Sequence, residues 1–177
     1  MDKQTLRKEI REKKRAMTEA QIVEKSEKLG QLFVTSEAYQ QAKTIYGYLP
    51  YNQEVRTVAM LQQALADGKR VAVPKCYGDE MRFIYLDDLS QVEKGYCGIP
   101  EPIADEPVAD DKTALVLMPG MAFTKEGLRM GYGGGFYDKF LASEPDHPTL
   151  ALCYDFQMVE HIPTEEYDIP VDTVLWA

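Results

Sequence analysis

Histidine, cysteine and tryptophan are scarce in this chain of 177 residues, which holds two, three and one of them respectively. His147 and His161 each lie close to a proline and away from any suitable nucleophile, which argues against a Ser-His-Asp or Cys-His hydrolase. Cys76, Cys97 and Cys153 are odd in number and fall outside any C-x-x-C spacing. They read as reduced core thiols of a cytoplasmic protein and leave no zinc site. No apolar run approaches the roughly 18 residues of a membrane span, and the charged N-terminus lacks the apolar stretch of a signal peptide. The familiar phosphate fingerprints are missing too. No G-x-x-x-x-G-K-[ST] occurs, and a G-x-G-x-x-G starting at Gly131 would need glycine where Phe136 stands.

Positive charge is also short, and what there is lies unevenly. Lys and Arg number 20 against 29 Asp and Glu, a formal net charge of −9. That balance argues against a general nucleic-acid binder. Residues 1–15 nevertheless carry a local +4, which leaves −13 for the remainder. Lys3, Arg7, Arg11 and Lys14 fall at three- and four-residue spacings, so they share one helical face. That face either meets water or supplies the cations an anionic ligand needs. A hydrophobic fraction of 45% and a charged fraction of 28% are those of a globular protein. One domain spanning residues 1–177 is expected.

Against these absences stands one unusual presence. Residues 127–138 read Gly-Leu-Arg-Met-Gly-Tyr-Gly-Gly-Gly-Phe-Tyr-Asp, and four of the five positions from Gly131 to Gly135 lack a Cβ. Such a run costs backbone entropy on folding. What it offers is close backbone approach, with several amide N–H groups turned toward one anion. Arg129 stands just before it, and Phe136 to Leu141 reads as the start of a helix whose positive dipole end faces the same point. A flexible glycine-rich lid is the plainer alternative; a phosphate cradle accounts for more of the segment.

Asp2 caps a helix expected to run to about Ala16, with Leu6, Ile10 and Met17 as its apolar stripe. Thr18 with Gln21 forms a capping box for a second helix reaching about Val34, and Ser36 caps a short third one. Strands are expected at Thr44–Leu49, Arg70–Pro74, Met81–Leu86, Ala114–Met118, Thr149–Tyr154 and Thr173–Trp176. A helix is expected at Glu54–Ala66 with Val58, Leu61 and Leu65 inward, and residues 98–112 read as an extended connection. Continuous apolar strands alternating with helices imply an α/β fold: a central, mostly parallel sheet flanked by helices, three-layered and Rossmann-like, with N-terminal helices added. In such a sheet ligands gather beyond the carboxyl ends of the strands. Glu54, Lys75, Arg129 and the glycine loop are therefore expected to converge.

Asp138, in the first turn after the glycines, complements the helix dipole or, beside phosphates, suits Mg²⁺. The acidic cluster Glu165, Glu166, Asp168 and Asp172 is the expected source of a second carboxylate. Glu54 is either an ordinary first-turn residue or a carboxylate that accepts from an N–H-rich heterocycle. With no protein nucleophile in view, the chemistry rests on positioning and electrostatics, as in phosphoryl transfer from a metal-bound nucleotide.

Val116 to Phe123 followed by Gly127 to Leu141 closely resembles the signature of 5-formyltetrahydrofolate cyclo-ligases. Supporting pieces are Lys3-x-x-x-Arg7, Tyr48-Leu-Pro with Glu54, Gly98-Ile-Pro-Glu-Pro102 and Tyr167-Asp-Ile-Pro-Val-Asp172. The resemblance implies ATP- and Mg²⁺-dependent cyclisation of 5-formyltetrahydrofolate to 5,10-methenyltetrahydrofolate, releasing ADP and phosphate. It implies ATP binding by Lys3, Gln4, Thr5, Leu6, Arg7, Arg129, Met130, Gly131, Tyr132, Gly133, Gly134, Gly135, Phe136 and Tyr137. It further implies folate contacts from Leu49, Glu54 and Phe136, Mg²⁺ ligation by Asp138 and Asp168, and catalytic roles for Arg129 and Asp138. ATP and the folate are the expected partners, with no nucleic acid and no membrane, and a monomer is expected. Tyr132 and Phe136 depart from the basic residue and the tyrosine that some members carry there. The source of the phosphate-neutralising charge is thus left open.

Overall fold

The computed structural model describes every residue of the chain except Tyr167; the expected role of the Tyr167–Asp172 motif at that residue lies outside the described residues. Three helices come first: α1 (Lys3–Arg15), α2 (Glu19–Val34) and α3 (Glu37–Gln41). Each starts on the cap its sequence announces. The Asp2 carboxylate accepts from Thr5 N, Thr18 and Gln21 close a reciprocal capping box, and Ser36 Oγ accepts from Tyr39 N.

Then follow β1 (Thr44–Tyr46), α4 (Val58–Ala66), β2 (Arg70–Tyr77), β3 (Glu80–Leu86), β4 (Val92–Lys94) and β5 (Pro100–Pro102). The chain continues through β6 (Leu115–Leu117), β7 (Ala122–Phe123), β8 (Arg129–Met130), α5 (Phe136–Ser143), β9 (Thr149–Cys153) and β10 (Thr173–Trp176). The main sheet has the order β10-β9-β6-β1-β2-β3. Every neighbouring pair in it is parallel except β2 and β3. The mostly parallel, helix-flanked sheet is as expected.

Alternation sorts the two faces. Ile45, Leu115, Leu117, Leu150 and Leu152 face a core built with Leu29 and Phe33 of α2, Tyr39 of α3 and Leu61 of α4. Tyr46, Val116 and Ala151 face the opposite core, which Leu141 of α5 completes. Helix α1 lies apart from both. Its Leu6 and Ile10 pack on Met121, Ala122 and Met130 of the small β7–β8 ladder. The expected stripe is observed except that Met17 joins the α2–α4 side of the core instead.

Two local expectations need correction. β2 runs to Tyr77, not Pro74, and β3 returns antiparallel to it through a two-residue turn, with Tyr77 opposite Glu80. Gly78 at φ +66° supplies the positive dihedral such hairpins demand. The helix expected from Glu54 begins at Val58, because Asn52 takes φ +53° and residues 47–57 are pinned as a loop. The later start turns Met60, Leu61 and Ala64 inward and leaves Val58 exposed. The extended connection expected at residues 98–112 is also paired: β5 lies against β4, and Tyr85 N and Ala109 N donate to Pro107 O and Phe83 O.

Gly127 closes the fold around the C-terminal segment. It sits at φ +91°, and a Cβ there would lie 2.1 Å from Val171 O. Its carbonyl accepts from Val171 N at 2.7 Å. Gly127→Ala combines dihedral strain, worth about 1–3 kcal/mol, with a backbone clash that cannot be relieved by a side-chain rotation. The expected outcome is a loss of about 2 kcal/mol or more, read as a lower urea midpoint at unchanged slope.

Candidate active site

Sheet order reverses direction at β1: the chain moves outward through β2 and β3, then returns to β1's other side with β6. The crevice beyond the carboxyl ends of β1 and β6 is where an open parallel sheet binds ligands. Residues 47–57 leave β1 into it, and residues 118–138 leave β6.

The first of these segments is rigidly held. Thr57 Oγ1 donates to Tyr48 O at 2.5 Å, Tyr154 OH donates to Gln53 O at 2.6 Å, and Arg56 N donates to Ser26 Oγ at 2.9 Å. Glu54 is thereby aimed inward. Its Oε1 accepts from Tyr51 N at 2.8 Å, and its Oε2 accepts from Tyr132 OH at 2.9 Å. Burial raises the Glu54 pKa, against the opposing pull of Lys14 and these hydrogen bonds. The second segment is pinned by Gln157, whose Nε2 donates to Gly120 O and Met121 O, both at 3.1 Å.

The glycine loop spans β8 to α5. Gly133 and Gly135 adopt φ of +110° and +69°, and Gly135 is the N-cap of α5 without a side-chain cap. The other glycines make room: a Cβ on Gly131 would meet Arg129 Nη1 at 2.9 Å, and one on Gly134 would meet the Phe136 ring at the same distance. Helix α1 lies across this loop, with Arg7 Nε donating to Gly131 O at 3.2 Å. Arg129, its side chain only 6% exposed, donates to Pro119 O at 3.0 Å and pairs with Asp138 Oδ2 at 3.1 Å. Its Nε is buried with no hydrogen-bond partner among the described residues.

The expected site residues thus divide. Arg7, Glu54, Arg129, the glycine loop and Asp138 are linked by contacts: Arg7 to Gly131 O, Glu54 to Tyr132 OH, and Arg129 to Asp138. Leu49 is buried, and Phe136 packs edge-on to Tyr96 at 5.9 Å between ring centroids. Leu6 and Met130 spend their side chains in the core, so they offer a ligand only main chain. Gln4 and Thr5 are exposed on the first turn of α1. Tyr137 is partly buried and packs its ring against Phe83. Lys3 reaches Glu165 at 3.6 Å and Asp168 at 4.0 Å. Asp168 Oδ2 also accepts from Glu165 N at 2.8 Å. Asp172 is structural, accepting from Thr149 N.

Lys75 does not join the crevice. It bonds the 103–105 connection, pairing with Asp105 at 3.1 Å. His147 is buried between Ala114 O and Glu144. What sequence reasoning missed is Lys14. Its spacing placed it on a basic face, yet it is 7% exposed and donates to Tyr132 OH at 3.4 Å. The readable signal was the position of Lys14 at i+4 from Ile10, continuing the buried Leu6–Ile10 line.

A model of the 5-formyltetrahydrofolate cyclo-ligase family matches residues 1–177. The 5-formyltetrahydrofolate cyclo-ligase of Escherichia coli K12 is 30% identical over 173 residues, covering 94% of this chain and 95% of that protein. The mouse 5-formyltetrahydrofolate cyclo-ligase is 28% identical over 188 residues, covering 98% and 93%. The structure of Aquifex aeolicus 5,10-methenyltetrahydrofolate synthetase superposes with a TM-score of 0.86 at 28% identity, covering 99% of this chain and 90% of that one.

The partly buried carboxylate has a measurable signature. A carboxyl whose folded pKa is raised contributes stability that is present below its unfolded value and lost as pH rises through the folded value. Glu54→Gln removes that titration while keeping the acceptor for Tyr51 N. Raising the pH from about 4.5 toward 7 should therefore cost the wild type stability relative to Glu54→Gln, as read by urea unfolding at each pH. A pH-independent difference would mean that Glu54 is solvated.

Proposed function

The chain belongs to the 5-formyltetrahydrofolate cyclo-ligase family, and from that premise we propose that it closes 5-formyltetrahydrofolate to 5,10-methenyltetrahydrofolate while converting ATP to ADP and phosphate. One observation carries the reading: the glycine loop is bonded both to the basic helix α1 and to Glu54. Arg7 holds it from the α1 side through Gly131 O, and Tyr132 of the same loop reaches Glu54 on the other. A triphosphate cradled by the loop would therefore lie against whatever Glu54 binds.

The ATP site would consist of Lys3 to Arg7, Arg129 and the main chain to Tyr137. Arg129 brings a buried N–H without a partner, and α5 brings an N-terminus without a side-chain cap. Both are donors suited to phosphate oxygens. The folate would lie between Leu49 and Phe136, with Glu54 accepting from its ring N–H groups.

A formamide carbonyl is a weak electrophile. Transfer of the γ-phosphoryl group to the formyl oxygen gives an imidate-like phosphate. N10 then attacks the formyl carbon, and the C–O bond breaks as phosphate leaves. The protein's part is to bind both reactants in line and stabilise the developing charge, with no side chain bonded to substrate.

Mg²⁺ fits the donors present. A cation held mainly by phosphate oxygens and water needs one or two carboxylates. That matches a site in which, among the described residues, no three His, Cys, Asp or Glu side chains gather. Asp138, with Asp168 as second ligand, would hold it, and when bound it would neutralise charge on the phosphate oxygens. Three free cysteines suit the reducing conditions of the cytoplasm.

Mixing the protein with 5-formyltetrahydrofolate and ATP should produce the near-ultraviolet absorbance of the methenyl product together with ADP. Nucleotide binding without turnover would overturn the assignment. Within the working enzyme, Arg7→Ala loses a charge-assisted hydrogen bond worth about 1.5–3 kcal/mol, so the KM for ATP should rise roughly tenfold or more while kcat changes less.

A further inference from the structure

Lys14, near the end of α1, is a lysine buried to 7% exposure, in line with Leu6 and Ile10. A lysine at this depth loses hydration, and desolvation pulls its pKa down, with Glu54 foremost in opposing that. Its ammonium carries three donors. One reaches Tyr132 OH, at a rather long 3.4 Å.

The direction of that contact matters. An ammonium has no acceptor, so Lys14 must donate to the phenolic oxygen. Tyr132 must then turn its own proton outward, and it donates to Glu54 Oε2 at 2.9 Å. The result is a chain of fixed polarity, Lys14 to Tyr132 to Glu54, that can end only on an acceptor. An ionised Glu54 satisfies it. The Tyr132 ring is 48% exposed, while its hydroxyl is turned into this network and its own ionisation is strongly disfavoured, first by burial and then by Glu54.

The space among Lys14, Tyr48, Glu54, Gly120, Tyr132 and Gln157 is about 10 Å³, room for one water at most. Lys14 and Glu54 both line this space, and the one side-chain hydrogen bond that Lys14 makes among the described residues is to Tyr132 OH. Lys14 acts through Tyr132.

Resting on the folate reading above, we propose that Lys14 is a positioning residue: through the Tyr132 hydroxyl it holds Glu54 as an oriented, ionised acceptor for the folate ring. The remaining groups facing Glu54 cannot replace Lys14. Tyr48, Tyr137 and Tyr154 are phenols whose ionisation is disfavoured first by burial, so none supplies a positive charge.

The test uses Lys14→Met, which keeps the stem's packing and removes the charge, and Tyr132→Phe, which keeps Lys14 and breaks the chain. In the free protein, ¹³C NMR of the Glu54 carboxyl should show its pKa rising in Lys14→Met, by about one unit or more for the loss of a nearby opposite charge. Correspondingly, the acid limb of kcat/KM for 5-formyltetrahydrofolate should move to higher pH, with the KM for ATP little changed. Tyr132→Phe should move both readouts the same way. An unshifted carboxyl titration in both variants overturns the proposal. If the wild type forms no methenyl product, the folate reading fails instead, and the carboxyl titration still decides whether Lys14 governs Glu54. Should Lys14→Met not fold, Lys14→Gln, which keeps a donor toward Tyr132 and removes the charge, carries the same decision.

Discussion

Glu54 is held as a partly buried, hydrogen-bonded carboxylate at the mouth of a parallel sheet, and the surrounding architecture is arranged about that fact. An ion drawn out of water needs hydrogen bonds and an opposite charge, or it takes up a proton. Each requirement is met by a different element. The loop after β1 supplies Tyr51 N, the glycine loop supplies Tyr132 OH, and α1 supplies the Lys14 ammonium. Three segments distant in sequence are thus tied to one carboxylate. Its orientation cannot change without disturbing the glycine loop.

The glycine loop poses the opposite difficulty. Bare main chain offers donors, yet it has many conformations to lose. The structure restrains it from its flanks. Arg129 anchors the entry by bonding Pro119 O and pairing with Asp138, which itself sits in the first turn of α5 at the exit. Arg7 reaches Gly131 O from above. These restraints all act on the ends, so the central amides stay available. The Arg129–Asp138 pair also links a candidate phosphate ligand to a candidate metal ligand, which makes the charge on one dependent on the occupancy of the other.

Much of this was legible in the sequence because it rests on local rules. Capping residues fixed the starts of α1, α2 and α3, apolar runs located the strands, and four missing Cβ atoms marked the cradle. The failures were of another kind. Glu54 was read into a helix because residues 54–66 have adequate helical pattern; what stops the helix is Tyr154 and Thr57 holding the loop, a tertiary effect. The β2–β3 hairpin was announced by Gly78-Asp79, but continuous burial on both strands imitated a parallel pair. Lys75 reads as following a strand end, but β2 continues to Tyr77, so Lys75 lies within the strand and pairs with Asp105. Lys14 was invisible as a buried group because lysine is so rarely buried unpaired.

Charge distribution supplies the last link between fold and chemistry. The body is strongly acidic, so a polyanion approaching it is repelled except where cations gather. Helix α1 brings that exception and divides it by depth. Lys3 and Arg7 remain partly exposed at the rim, where their charge meets the acidic C-terminal segment and the glycine loop. Lys14, two turns further, is sunk against Glu54's network. One helix thereby serves both the glycine loop and the carboxylate, its outer cations turned to the one and its inner one to the other. Docking α1 on Met121, Ala122 and Met130 through Leu6 and Ile10 is what registers the two. A change in that apolar contact would displace the phosphate cations and the carboxylate's counter-charge together, so packing remote from substrate sets the geometry on which both halves of the reaction depend.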